Sequence, residues 1–329
     1  MLRYRTQGLL AVGLGMVAGG CFGEPVNKTD LRSEGPPEVL AAMGQSLVTL
    51  EEYSFHCRYV NGVRDEKAPG FAIDAILGGQ IVCPETATEF APTPVDPRAF
   101  ALRVMFDELL DADAVETLDC DDDGRCSGSL DSTQPVTLTC DGTVVGYTGY
   151  YVPNGNNTTF PLGPSLYIAP NLDELVFPTG TECTLSIGDV VVDKTGNAVP
   201  ADQRDLDLQI ADLALLFTEP ADADAVGDRA VLGPDEAIAF VFNTYLDDAT
   251  IAATEVVVLD GDGDPVADVD FAVDAYFVDT DTIYVFSTAT DGFPPGNYTA
   301  RITASAEIGE VNGGTVTFTA NEDVRFVVE

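Results

Sequence analysis

Histidine is almost missing from this chain: His56 is the only one in 329 residues. That scarcity removes the usual imidazole routes to nucleophilic catalysis and to zinc ligation. His56 lies between Phe55 and Cys57 with no serine, cysteine or metal-ligand pattern around it, and it reads as a packing or surface residue. Basic residues are scarce too. Lys and Arg number 15 against 55 Asp and Glu, a net charge of -40. A surface of that sign repels DNA, RNA and anionic headgroups, so nucleic acid is not an expected partner. No apolar run reaches the roughly 20 residues that a spanning helix needs. Neither a phosphate loop nor a dinucleotide fingerprint occurs. Paired carboxylates hydrolyse glycosides in some enzymes, but with 55 acidic residues such pairs arise by chance and mark no site. Asp279-Thr280-Asp281-Thr282 lacks the glycine of an aspartic protease loop and reads as a strand connection. These absences together point away from an enzyme.

The N-terminus carries the clearest positive signal. Arg3 and Arg5 precede an uncharged, mostly apolar stretch from Gly8 to Ala18, and Ala18-Gly19-Gly20 leads into Cys21. This is the layout of an exported chain, with residues 1–20 as the signal. A cysteine directly after the small residues is similar to a lipoprotein lipobox, whose thiol is acylated and becomes the new N-terminus. Ala18 departs from the large aliphatic residue usual at its place. Cys21 is therefore the expected lipid attachment point and the membrane the expected partner, with plain secretion as the alternative. Phe22 follows it rather than Asp, which points to the outer membrane or cell surface. Loss of Arg3 and Arg5 with the signal takes the net charge from -40 to about -42. Two explanations fit that acidity: solubility in a salty exterior, where screening limits self-repulsion, and carboxylate loops for divalent cations. The first accounts for the bulk of the charge.

With Cys21 assigned to lipid, six cysteines remain: Cys57, Cys83, Cys120, Cys126, Cys140 and Cys183. An even number in an exported chain reads as three disulfides. Sequence proximity and strand placement favour Cys57–Cys83, Cys120–Cys126 and Cys140–Cys183. Zinc is the competing reading, but the Cys-x-x-Cys spacing is absent. All six precede residue 184, so the C-terminal third must stand on its core alone.

Residues 21–36 are polar and read as a flexible tether. Beyond them the pattern is short apolar or alternating runs between Gly, Pro, Asn and Asp. Ala101 to Phe106, Val136 to Cys140, Leu166 to Ile168, Ile238 to Phe242, Glu255 to Leu259, Ile283 to Phe286 and Thr315 to Phe318 read as strands. Their spacing predicts an all-β sandwich architecture. Val39 to Leu50 is ambiguous between a short helix and a strand, and Asp111 to Leu118 fits a helical turn.

An internal repeat divides the chain. Phe106-Asp107-Glu108-Leu109-Leu110-Asp111 matches Phe242-Asn243-Thr244-Tyr245-Leu246-Asp247, each after an alternating apolar run. Leu166-Tyr167-Ile168 matches Ile283-Tyr284-Val285, and Pro178 to Cys183 matches Pro294 to Tyr298 with one gap. The order is shared, so one domain type is duplicated in tandem. Domain 1 is expected over 37–211 and domain 2 over 212–329. In domain 1 an insertion of about 40 residues, near 51–92, holds Cys57 and Cys83; closing such a loop costs little entropy.

These motifs, with Val191-Val192-Asp193-Lys194-Thr195-Gly196-Asn197 at the end of the first copy, resemble bacterial Ig-like domains of the SbsA/Big_5 type. The resemblance covers roughly 95–329, and weakly 35–50. It implies two tandem Ig-like β-sandwiches with a structural or adhesive role on an exported surface protein, and it supplies no catalytic residue. The second copy departs at its end, where Ala306-Glu307-Ile308-Gly309 stands in place of the Val-Asp-Lys-x-Gly-Asn turn.

Two local features suggest binding. Asp119, Asp121 and Asp123, with Gly124, match the first half of a calcium loop, although Leu130 replaces the closing Glu. Calcium is therefore the one cofactor the sequence suggests; the alternative is an acidic hairpin tip. Asp260-Gly261-Asp262-Gly263-Asp264 reads first as a hairpin turn. Tyr147, Tyr150 and Tyr151 flank a polar stretch with Asn154 and Asn156, an arrangement suited to contact with a glycan or a surface protein. A plain extended hairpin is the alternative. The expected function is that of a non-enzymatic, lipid-anchored surface protein. Its alternatives are a calcium-dependent binding module and an accessory protein of a secreted hydrolase system.

Overall fold

The computed structural model describes residues 35–46, 52–70, 81–120, 126–131, 133–153, 164–172, 176–223, 228–252, 254–276 and 280–329. Among these residues the protein is all-β apart from one α-helical turn, Ala112–Val115, and short 3-10 turns.

The N-terminal half packs two antiparallel sheets face to face. One runs Tyr147–Val152, Ser165–Pro170, Ala99–Phe106, Val39–Ser46, Glu52–Cys57. The other runs Asp205–Gln209, Glu182–Ile187, Val136–Cys140, Thr143–Val145. Side chains alternate faces along a strand, so Leu102, Val104 and Phe106 point together into the core to meet Leu138, Leu185 and Leu206. The C-terminal half repeats the order. Val269–Asp274, Thr282–Ser287, Ile238–Phe242 and Leu215–Glu219 form one sheet. Val256–Leu259, Gly296–Ile302 and Glu322–Val328 form its mate, with Ala230–Leu232 added in parallel. Its separate core is built around Phe240, Phe242, Phe293 and Phe326.

The repeated motif has a physical cause at each position. Val104 pairs with Leu166 and Leu102 with Ile168; Phe240 pairs with Ile283 and Ile238 with Val285 in the same register. Leu110 and Leu246 are both buried. The Asp/Asn that follows the Phe in each motif is a clasp on the first strand of its half. Asp107 Oδ1 accepts from Glu38 N at 2.8 Å, and Asn243 Oδ1 accepts from Ala214 N at 2.8 Å.

Val39–Ser46 is a strand, not a helix. It is buried along nearly its whole length because the insertion covers its outer face. Leu40, Ala41, Met43 and Met105 pack there against Cys57, Ala68, Val82 and Cys83. A strand buried on both faces shows no alternation, which is why its sequence was ambiguous. The Cys57–Cys83 disulfide (Cα–Cα 5.8 Å) pins this insertion. Cys140–Cys183 (Cα–Cα 4.1 Å) joins neighbouring strands of the second sheet, where the two residues stand directly opposite.

The second copy does not lose its last turn; it lengthens the hairpin. In the first copy Asp193 N donates to Asn197 O and Gly196 N to Asp193 O. Glu310 N to Gly314 O and Gly313 N to Glu310 O repeat those bonds at the tip between Glu307–Glu310 and Thr315–Thr317. The Ala306-Glu307-Ile308-Gly309 stretch therefore leads into the equivalent tip. The extra length carries that tip across to the first half of the chain.

Candidate functional site

Two places combine unusual chemistry with defined geometry. The first is the junction between the halves. Arg98 immediately precedes the strand Ala99–Phe106, and Asp281 the strand Thr282–Ser287. Arg98 Nη1 lies 2.8 Å from Asp281 Oδ2, with side-chain exposures of 2% and 0%. Arg98 Nη2 donates to the Phe242 carbonyl at 3.0 Å. Asp281 Oδ1 accepts from Tyr276 N and from Thr282 Oγ1, each at 2.8 Å. On the near side Asp96 accepts from Arg98 N at 2.7 Å and from the Tyr53 hydroxyl at 3.4 Å. Burial pushes the Asp96 carboxyl up from the ordinary range, against the pull of Arg98. A buried ion pair of this kind persists only when hydrogen bonds satisfy both partners.

The two copies differ at the position of the junction anion. Phe106 N donates to Pro164 O, and Phe242 N donates to Asp281 O in the same place. The second copy thus carries a carboxylate where the first carries a proline. The Asp279-Thr280-Asp281-Thr282 stretch does end in a strand start, but Asp281 is also the anion of the junction. An arginine in so acidic a chain, and the Pro164/Asp281 difference between the copies, were the available signals.

The lengthened hairpin makes the second set of contacts. Thr179 N donates to Glu310 Oε1 at 3.0 Å, and Asn312 Nδ2 to Val176 O at 3.2 Å. The Asp193 carboxylate at the equivalent tip serves its own turn instead. Burial would push it up, yet donors from Thr195 and Asn197 outweigh that and hold it below the ordinary range. Glu310 is 1% exposed, and its Oε2 has no hydrogen-bond partner among the described residues. Burial pushes its pKa up from 4.5, against the lowering effect of its hydrogen bonds from Thr179 and Gly314. An acid whose folded pKa exceeds the unfolded value adds stability that is full below the unfolded pKa and lost as pH rises through the folded one. Acidification toward pH 4.5 should therefore relieve Glu310. Glu310→Gln, which keeps the acceptor for Thr179, should raise neutral-pH stability by about 1 kcal/mol and remove that part of the pH dependence. Denaturant titrations of both proteins at pH 5 and pH 7.5 check this; a variant that is less stable at neutral pH contradicts it.

The second place is the outer face of the first sheet. The three tyrosines singled out in the sequence do not share a face. The Tyr147 hydroxyl donates to Val136 O at 3.0 Å, and the Tyr151 hydroxyl accepts from Leu110 N at 2.9 Å. Both point inward, and burial pushes Tyr151 up to about 12. Tyr150 alone faces solvent, 44% exposed, and stacks on Tyr167 with centroids 4.6 Å apart. Arg103 lies 5.7 Å from the Tyr167 ring centre, and Phe100 packs at 6.3 Å. Alternation along the strand separates Tyr150 from its neighbours; only the register reveals Tyr167, Arg103 and Phe100 beside it.

Several expected site residues fall elsewhere. Cys21, Asp121, Asp123, Asn154 and Asn156 lie outside the described residues. Cys120 stands opposite Cys126, and Asp119 opposite Ser127, in a two-stranded ribbon whose side chains there are outside the description. The 260–264 stretch is a turn, with Asp260 Oδ1 accepting from Asp262 N and Asp264 N. An open groove of about 580 Å³ lies between Pro92-Thr93-Pro94 and the second sheet. Of its carboxylates, Asp207 is held by Thr184 Oγ1 at 2.8 Å. No helix among the described residues is long and apolar enough to cross a membrane.

No protein-family model matches the chain, and no curated protein matches it. Solved structures do. The N-terminal part of the bacterial S-layer protein SbsC is 10% identical at a TM-score of 0.22, covering 70% of this chain and 41% of that one. Domains 1-6 of the same surface layer protein are 12% identical at 0.22, covering 70% and 24%. A titin A168–A169 structure is 9% identical at 0.21, covering 70% and 89%. The chain thus spans less than half the length of the two SbsC structures it matches. Likeness this distant adds nothing to the argument, and the all-β assignment rests on the strand pairing itself.

Proposed function

We propose that the chain is an exported, non-enzymatic structural protein of the bacterial cell surface. Cys21 carries the lipid, residues 21–36 are the tether, and domains 37–211 and 212–329 stand as one stalk. The observation that supports this most is the Arg98–Asp281 pair. A buried ion pair between two sandwiches, with further hydrogen bonds to the Phe242 carbonyl and from Tyr276 N and Thr282 Oγ1, opposes bending at their junction. Stiffness there serves a protein that must hold a fixed reach from a membrane. The disulfides Cys57–Cys83 and Cys140–Cys183 fit an oxidising exterior.

Radiolabelled palmitate given to cells that express the full chain tests the anchor. Wild type should take up label and sediment with membranes, and Cys21→Ser should do neither. Equal labelling of both proteins, or an unlabelled wild type in the culture medium, would overturn the lipid-anchored reading.

A further inference from the structure

The outer column of rings is not something the fold requires. Tyr150, Tyr167 and Arg103 stand in one cross-strand row. The equivalent row of the second copy is Ala272, Tyr284 and Ala239. The same sandwich therefore forms with alanine at both flanking positions, where the first copy has an arginine and a second tyrosine around a shared one.

The geometry of the row gives it an accessible end. Tyr150 and Tyr167 stack at 4.6 Å with planes 21° apart, close to the spacing between strands. Rings stacked across strands stand upright on the sheet. Arg103, only 6% exposed, backs Tyr167, and Tyr150 belongs to the edge strand. The Tyr150 ring is 44% exposed, although the edge of its strand is flanked by Leu130, whose N donates to Gly149 O at 2.9 Å, and by Glu116, whose Oε2 accepts from Tyr151 N at 3.1 Å. Phe100, 39% exposed, extends the apolar surface beside Tyr167.

Charge narrows the ligand. From Gly142 to Leu172 no Asp, Glu, Lys or Arg occurs, although the chain carries a net charge of -40. An anionic polymer would be repelled by the surrounding field, and the one nearby cation is buried under a ring. The carboxylate beside the row, Glu116, is engaged by Tyr151 N at 3.1 Å, which leaves less of it for a cationic partner. An uncharged ligand with flat C–H faces has no such conflict and stacks on tyrosine rings. We propose that Phe100, Tyr150 and Tyr167 form a platform for a neutral glycan, with Arg103 positioning the Tyr167 ring. The platform works whether or not Cys21 is acylated, so its failure and the failure of the anchor are separate results.

Affinity electrophoresis of the mature chain, made with Cys21→Ser to keep it unlipidated, tests the platform. Native gels would contain hydroxyethylcellulose, arabinoxylan, galactomannan or dextran, with alginate as the carboxylated control. At least one neutral polymer should retard the protein, and alginate should not. Tyr150→Ala should weaken retardation roughly tenfold, in line with the loss of one aromatic contact. Phe100→Ser should weaken it independently. Tyr276→Ala, which removes an equally exposed tyrosine from the second half, should leave it unchanged. Migration unaffected by all four neutral polymers, a Tyr150→Ala protein that binds like wild type, or retardation by alginate alone would overturn the proposal.

Discussion

Arg98→Ala is expected to destabilise the protein by about 3–5 kcal/mol, because it leaves the Asp281 carboxylate buried without its cation. The Coulombic attraction lost is only part of that figure. The larger part is the cost of keeping a charge out of water without its cation, even with donors such as Tyr276 N and Thr282 Oγ1 in place. The Phe242 carbonyl loses a donor in the same change. Arg98→Lys should fall between, since one ammonium cannot reach Asp281 and the carbonyl as a guanidinium fork does. Replacing both partners, as Arg98→Met with Asp281→Leu, should cost less than Arg98→Ala alone, because no charge is then stranded. Chemical denaturation of these proteins, together with the Arg98→Met and Asp281→Leu single variants, decides the matter. A double variant that is as unstable as the sum of its single changes would mean that the pair does not act as a unit. The junction also predicts a change in shape of the curve. Wild type should unfold in one transition, and Arg98→Ala should separate into two as the sandwiches lose their coupling.

Removing the Cys140–Cys183 disulfide is expected to cost about 4 kcal/mol, from the chain entropy released in the unfolded state by opening a link of sequence separation 43. Both sulfurs belong to the core of the first sandwich, so Cys140→Ala with Cys183→Ala also loses packing there. The second sandwich has no cysteine and keeps its phenylalanine core. The loss should therefore fall on the first half, and the double variant should split the single wild-type transition, with the first half unfolding early and the second half later. The Cys57–Cys83 pair is a useful contrast. It closes a shorter link and holds a satellite cluster on the outside of the sheet. Its removal should loosen the insertion and leave the main core standing. Calorimetry of the two double variants against wild type separates these outcomes. Equal effects from both would show that the insertion is as central as the inter-strand bridge.

Much of the fold was legible because it is written in short-range pattern. The run Leu102, Val104, Phe106 and its counterpart Ile238, Phe240, Phe242 alternate with period two, and a strand follows from that alone. Val39–Ser46 was harder, since the insertion buries its second face and erases the alternation. The turn at the end of the second copy was obscured for a related reason. Its backbone bonds are kept at Glu310 and Gly314 while its residue types have changed. The tyrosines illustrate the limit well. Spacing separates Tyr150 from Tyr147 and Tyr151 once a strand is assumed, but which face is inside depends on what packs against it.

The sequence by itself determined the all-β class, the duplicated pattern and the acidic surface, all of which depend on residue type and on neighbours a few positions apart. Only the tertiary structure decided that Arg98 meets Asp281 across 183 positions, that Glu310 reaches Thr179, and that Tyr167 stands between Arg103 and Tyr150. Those contacts are set by register and by the docking of one sandwich on the other. Register and docking minimise a free energy summed over two whole cores, and no local pattern encodes that sum.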